Sequence, residues 1–210
     1  MRPAIVTALA TGVLAALTAG CGASPSPSPT TSPSPGATSS ATKTHAAAGA
    51  LSADATSAAT GDIPDNQQFL TYHNPTEHYS ILYPEGWALK GSARDVSFTD
   101  KNNVVHIIIA AAPAPTTATL AGELSKLKRS DPTLAFSPPA TIAVKSGTAV
   151  KATYTTRSGP NPVTGKSVLL VVDRYELSRG GRRATVDLGT PKGVDNVDAY
   201  RKMINSFSWQ

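Results

Sequence analysis

From Asp62 to the C-terminus, short runs of β-forming residues alternate with polar turn signals, and only two stretches carry a helical period. Phe69-Leu70-Thr71-Tyr72 and Tyr79-Ser80-Ile81-Leu82-Tyr83 read as strands, the second closed by Pro84. Val96-Ser97-Phe98-Thr99 and the apolar run 104–109 flank Asp100-Lys101-Asn102-Asn103, a polar tetrad suited to a hairpin turn. Residues 150–155 alternate, which predicts one buried face, whereas 104–109 and 168–172 are continuously apolar, the pattern of strands covered on both faces. A further strand, 183–188, returns after Gly180-Gly181. The spacing of Leu120, Leu124 and Leu127 predicts a helix over 119–129, with Lys126, Lys128 and Arg129 in the last turn, where the helix dipole favours them. A second helix over 195–207 carries Val197, Tyr200, Ile204 and Phe207 on one stripe, with Asp195 or Asn196 as its cap. Hairpin-linked strands with two helices make an α+β domain around a mainly antiparallel sheet.

The run Tyr79-Ser80-Ile81-Leu82-Tyr83-Pro84-Glu85-Gly86-Trp87, followed by Val96-Ser97-Phe98, resembles the opening of PsbP-like domains, in which an aromatic strand ends in Tyr-Pro and a Trp follows. Ile204-Asn205-Ser206-Phe207 resembles their close, and the likeness extends over about residues 69–209 as short motifs and an order of elements. It implies an α-β-α sandwich, the fold shared by the photosystem II extrinsic subunit and LpqN-like actinobacterial lipoproteins. Such domains act mostly as assembly or binding modules, so the resemblance brings no catalytic residue. Fold alone is a weak guide to function.

The N-terminal third has a different composition. Met1-Arg2 is followed by an uncharged stretch ending in Leu17-Thr18-Ala19-Gly20-Cys21, with the chain's one cysteine last. One positive charge, a short apolar region and small residues before a cut describe an export signal over 1–20. A cysteine directly after the cut matches a lipobox, with Thr18 where Leu is usual, and predicts lipidation of Cys21 on the outer face of a membrane. The competing reading is an ordinary secretory signal with a coincidental cysteine. Residues 21–61 form a Ser/Pro, then Ala/Thr/Ser tract without aromatics, too poor in apolar surface to offset the entropy of ordering. As a coil it spans roughly 35 Å, and fully stretched about 130 Å. A spacer is the simplest reading, with a glycosylated stalk or a ligand for proline-binding modules as alternatives. Residues 62–210 are enough for one domain without disulfides.

The formal net charge is +5. Arg179, Arg182 and Arg183 bracket Gly180-Gly181, and with Lys126, Lys128 and Arg129 they form a candidate basic rim for an anionic wall polymer, lipid headgroups or an acidic envelope protein. The export signal argues against nucleic acid as partner. The competing reading is solubility charges at a turn and a helix end.

Motifs for chemistry are few. Pro160-Asn161-Pro162-Val163-Thr164-Gly165-Lys166-Ser167 approaches a phosphate-binding loop, but its prolines remove amide donors and a strand follows, so it reads as a long hairpin loop. His73, Glu77 and His78 are the one cluster of metal-type ligands, at a spacing that fits no zinc protease pattern and falls in a turn. His106 lies within an apolar strand, where packing or a hydrogen bond is its expected use. Asp95 and Asp100 flank one strand with their directions open. With Cys21 lipidated no thiol nucleophile remains, and no cofactor is expected. The sequence thus predicts a non-catalytic, membrane-anchored binding or accessory module of the cell envelope. A small-molecule or metal-binding lipoprotein with a pocket between sheet and helix is the alternative. An envelope hydrolase would need two carboxylates or a Ser/His pair meeting in a cleft.

Overall fold

The computed structural model describes residues 61–161 and 165–210. The export signal expected over 1–20, the expected lipidation site Cys21 and the expected tether up to residue 60 lie outside the described residues, as do Pro162, Val163 and Thr164.

Eleven strands and two helices follow in the order β1 (Phe69–Asn74), β2 (Tyr79–Pro84), β3 (Ala88–Ser92), β4 (Asp95–Asp100), β5 (Asn103–Ala111), α1 (Thr117–Ser130), β6 (Ala135–Phe136), β7 (Ala140–Val144), β8 (Gly147–Arg157), β9 (Leu169–Arg179), β10 (Arg182–Pro191), α2 (Val197–Ser206) and β11 (Ser208–Trp209). The single sheet expected from the pattern is two. Eight strands form the larger, in the order β3-β4-β5-β10-β9-β8-β6 with β7 also on β8, and β1-β2-β11 form a smaller one. Every pairing is antiparallel.

Local chemistry accounts for the joints. Gly180 and Gly181 both take positive φ (57° and 74°), as a two-residue turn matched to strand twist requires, and they join β9 to β10 with Arg179 opposite Arg182. Lys101 and Asn102 close the β4–β5 hairpin between the paired Asp100 and Asn103. β6 and β7 share one edge of β8 and are separated by Ser137-Pro138-Pro139, prolines that a sheet tolerates only at such an edge. In the connection between β8 and β9, Gly165 N–H donates to Asn161 O and Ser158 N–H to Val168 O, and strand β9 follows as expected. α1 begins with a reciprocal capping box between Thr116 and Thr119 and ends with exposed Lys128 and Arg129.

The two sheet faces bury separate cores. On one, Val105, Ile107, Val186 and Leu188 meet Tyr200, Met203 and Ile204 of α2 and Tyr79 and Ile81 of the small sheet. Trp87 and Phe98 are buried there too. On the other, α1 sets Leu120 and Leu124 against Val150, Ala152 and Tyr154 of β8 and Leu170 and Val172 of β9. A helix therefore lies on each face of the large sheet, with the small sheet sharing the α2 side. α1 covers β8 and β9, so β4 and β5 keep a part-exposed second face, and the continuous apolar run of β5 is fully buried on one side only.

Candidate functional site

Where the α2 face of the large sheet reaches β8, the first core gives way to a cavity of about 360 Å³ between β8, β9, β10 and the N-terminal half of α2. That is within the range of small-molecule sites. Alternation along the strands builds its wall. Lys151 lies opposite Tyr175 in the β8–β9 register and Thr153 opposite Asp173, so all four project from one face. Lys151 Nζ is 2.8 Å from Asp173 Oδ2, while Thr153 Oγ1 donates to Asp173 Oδ1 at 2.6 Å. Lys151 also lies over the Tyr175 ring, 5.2 Å from its centroid. Burial opposes the Lys151 charge, but Asp173 and the Tyr175 hydroxyl outweigh it and hold the ammonium above its ordinary pKa. Burial, with Asp173 adding to it, raises the Tyr175 phenol.

The floor is apolar, formed by Val171, Leu188, Pro191 and Val194. α2 contributes Tyr200, whose hydroxyl donates to Gly189 O at 2.5 Å and whose pKa burial raises. Val197 and Arg201 stand at the mouth, Val197 58% exposed. Arg201 pairs with Asp198 at 2.7 Å, but the two side chains are 65% and 89% exposed. An i,i+3 pair so open to water is worth roughly 0.2–0.5 kcal/mol, so Arg201 is free to turn to another anion. Asn196, also on the wall, accepts from Ile63 N–H, and its Nδ2, with two protons to give, lies 2.8 Å from Thr190 Oγ1 and 3.1 Å from both Gly61 O and Asn103 Oδ1. It thereby pins residues 61–63 beside the cavity.

The residues singled out in the sequence have other placements. Arg179 Nη1 donates to Trp209 O, and Arg182 donates to Glu77 O while stacking 4.9 Å from the Trp209 ring centroid. Arg183 turns to the opposite face and holds Glu123 at 2.9 Å and Glu176 at 3.4 Å. The three arginines are thus used inside the domain on two faces. Lys126, Lys128 and Arg129 are exposed on α1 and make no ion pair among the described residues. Glu77 is buried and clamps Arg94 at 2.9 Å in an Asn74-centred turn, while His73 and His78 are exposed, His73 bonded to Gln210. No group of three or more His, Cys, Asp or Glu that could hold a metal occurs among the described residues.

Two arrangements on the α1 face have the residue types of hydrolytic sites. His106 Nε2 is 2.7 Å from Asp95 Oδ1, with Ser97 opposite His106 across β4 and β5. The Ser97 hydroxyl makes no hydrogen bond to the ring, and the three lie on an open strand surface. Asp100, five residues from Asp95, projects from the other face of β4. Glu123 and Glu176 also converge, but on Arg183, with Glu176 wholly buried. Nearby, Arg174 makes a bidentate pair with Asp187 (2.7 and 2.6 Å), to which Tyr154 donates at 3.2 Å, a buried brace between β8, β9 and β10.

No protein-family model and no curated protein matches the chain. Solved structures do. The solution structure of the cyanobacterial PsbP protein CyanoP from Synechocystis sp. PCC 6803 superposes with a TM-score of 0.52 at 15% identity, covering 71% of this chain and 98% of that one. LpqN of Mycobacterium tuberculosis, described as involved in cell envelope biogenesis, gives 0.39 at 14% identity, over 69% and 91%. The Saccharomyces cerevisiae Ran-binding protein Mog1p gives 0.46 at 8%, over 68% and 95%. The domain has the PsbP-like fold, as the short aromatic motifs of β2 and the Ser-Phe ending implied.

Proposed function

We propose that this chain is a lipid-anchored, extracytoplasmic binding module of the cell envelope, accessory in role and without catalysis of its own. The observation that carries the reading is the cavity between β8–β10 and α2. Its apolar floor and fixed polar wall suit the capture of a ligand, and its side chains serve one another as a structural charge pair, with no nucleophile set against a base. The sequence supplies the rest: Cys21 for acylation, and a tract of small residues and prolines long enough to lift the domain tens of ångströms from the bilayer. The uncommitted cations of α1 suit an anionic environment at a membrane or wall.

Cell fractionation tests the anchor. The wild-type chain should sediment with membranes and Cys21→Ser should appear in the medium; a Cys21→Ser chain retained in the membrane fraction overturns the anchor. Binding is tested apart from it, by thermal shift of the full Cys21→Ser chain against small acids, amines, sugars and wall fragments. A ligand at 100 times its Kd adds about 2.7 kcal/mol, several degrees for a domain of this size. A flat response to the whole panel would move the reading from ligand capture to a protein partner.

A further inference from the structure

We infer that the cavity selects a small monoanionic molecule, a carboxylate on a compact apolar body, with Lys151 and Arg201 as the groups that read the charge. The inference rests on the binding-module reading and specifies its ligand.

Charge comes first. Three ionised groups line the cavity, Lys151, Arg201 and Asp173, two positive and one negative. Asp173 is already occupied, one oxygen taking Lys151 and the other Thr153. A cationic ligand could still reach a remaining Asp173 lone pair, but it would add a third positive charge to a cavity that already holds Lys151 and Arg201 against one carboxylate. Lys151, by contrast, has three N–H donors, of which Asp173 and the Tyr175 hydroxyl engage at most two. Arg201 has five and is tied only to exposed Asp198. One added carboxylate balances the set and meets donors that need not leave a buried partner. Lys151, Arg201 and Tyr175 all line the same cavity.

Size and polarity follow from the rest of the cavity. Its floor carries aliphatic side chains, and the Tyr200 hydroxyl is spent on the Gly189 carbonyl, so it offers little hydrogen bonding to a sugar or a polar chain. About 360 Å³ accepts a ring or a short branched chain with its head group at the mouth. Val197, exposed on the cavity lining, adds apolar surface for such a body.

The experiment holds the body constant and changes the charge. Calorimetry on the full Cys21→Ser chain would compare 3-phenylpropanoate, 3-phenylpropanamide and 3-phenylpropylamine. The acid should bind at least about tenfold more tightly than the amide, with no measurable binding of the amine. Arg201→Gln, exposed and outside the core, should weaken the acid about tenfold and leave the amide unchanged. Lys151→Met, which keeps the apolar stem, should weaken it further, with circular dichroism to confirm folding. Tighter binding of the amine would overturn the ligand class while leaving the binding module standing. Equal affinity for acid and amide would remove the role of the cations. Binding by none of the three overturns the inference, and the broader thermal-shift panel then decides separately whether the module binds small molecules at all.

Discussion

Glu176 is where pH acts on this domain. Its carboxyl is wholly buried, and burial first, the Glu123 charge second, raise its pKa from 4.5 to about 7, with Arg183 pulling the other way. Between those two values the folded chain keeps a proton that the unfolded chain has released, so stability falls as pH rises through the window and levels off above it. Urea midpoints should therefore decline from about pH 4.5 to about pH 7, and Glu176→Gln should flatten the decline. A wild-type midpoint that climbs over the same range would contradict the uncharged state of this residue. The same ion cluster joins α1 to the sheet through Glu123, so the sign of the effect reports on a contact between elements as well as on one side chain.

Among the elements, the β3–β4 hairpin depends most on a single residue. Gly91 sits at φ 106°, and a Cβ there would collide with the Asp95 carbonyl. Gly91→Ala should lower stability by more than about 1 kcal/mol by chemical denaturation, yet leave ligand affinity unchanged, because the cavity lies on β8–β10. How far these elements could be read in advance follows from their composition. β2, β4, β5, β8 and β10 carry aromatic and β-branched residues and were legible, as were both helices from their spacing. β3, with Ala88-Leu89-Lys90-Gly91-Ser92, has no such residues; it is a strand because β4 offers it a ladder. β7 does carry β-branched residues, Thr141, Ile142 and Val144, but it is short, follows Pro138-Pro139 and takes its place as an edge on β8. The cavity was less legible still. Lys151, Asp173 and Arg201 stand 22 and 28 positions apart and meet through register and helix placement alone. The available signal was local: Lys151 and Thr153 in β8, and Asp173 in β9, place polar side chains on the face that elsewhere buries Tyr175 and Leu177. The arginines around Gly180-Gly181 were conspicuous in the sequence, but fold geometry assigns them to Glu77, Trp209 and the Glu123–Glu176 pair.

At the scale of the whole domain, two apolar cores, one on each face of the large sheet, hold the described residues together without a disulfide. Gly61 and Ile63 are bonded to Asn103 and Asn196, and Asn196 also lines the cavity. The PsbP-like fold provides the sheet and helices, and the particular wall residues of this sequence give the cavity its chemistry. That cavity is the proposed binding site. The direct measurement is amide chemical-shift perturbation of the isotope-labelled Cys21→Ser chain titrated with 3-phenylpropanoate. Saturable shifts should centre on Lys151, Asp173, Tyr175, Thr190 and Val197, with β4, β5 and α1 unmoved. Shifts that instead collect on the α1 face around His106, or that fail to saturate anywhere, would contradict it.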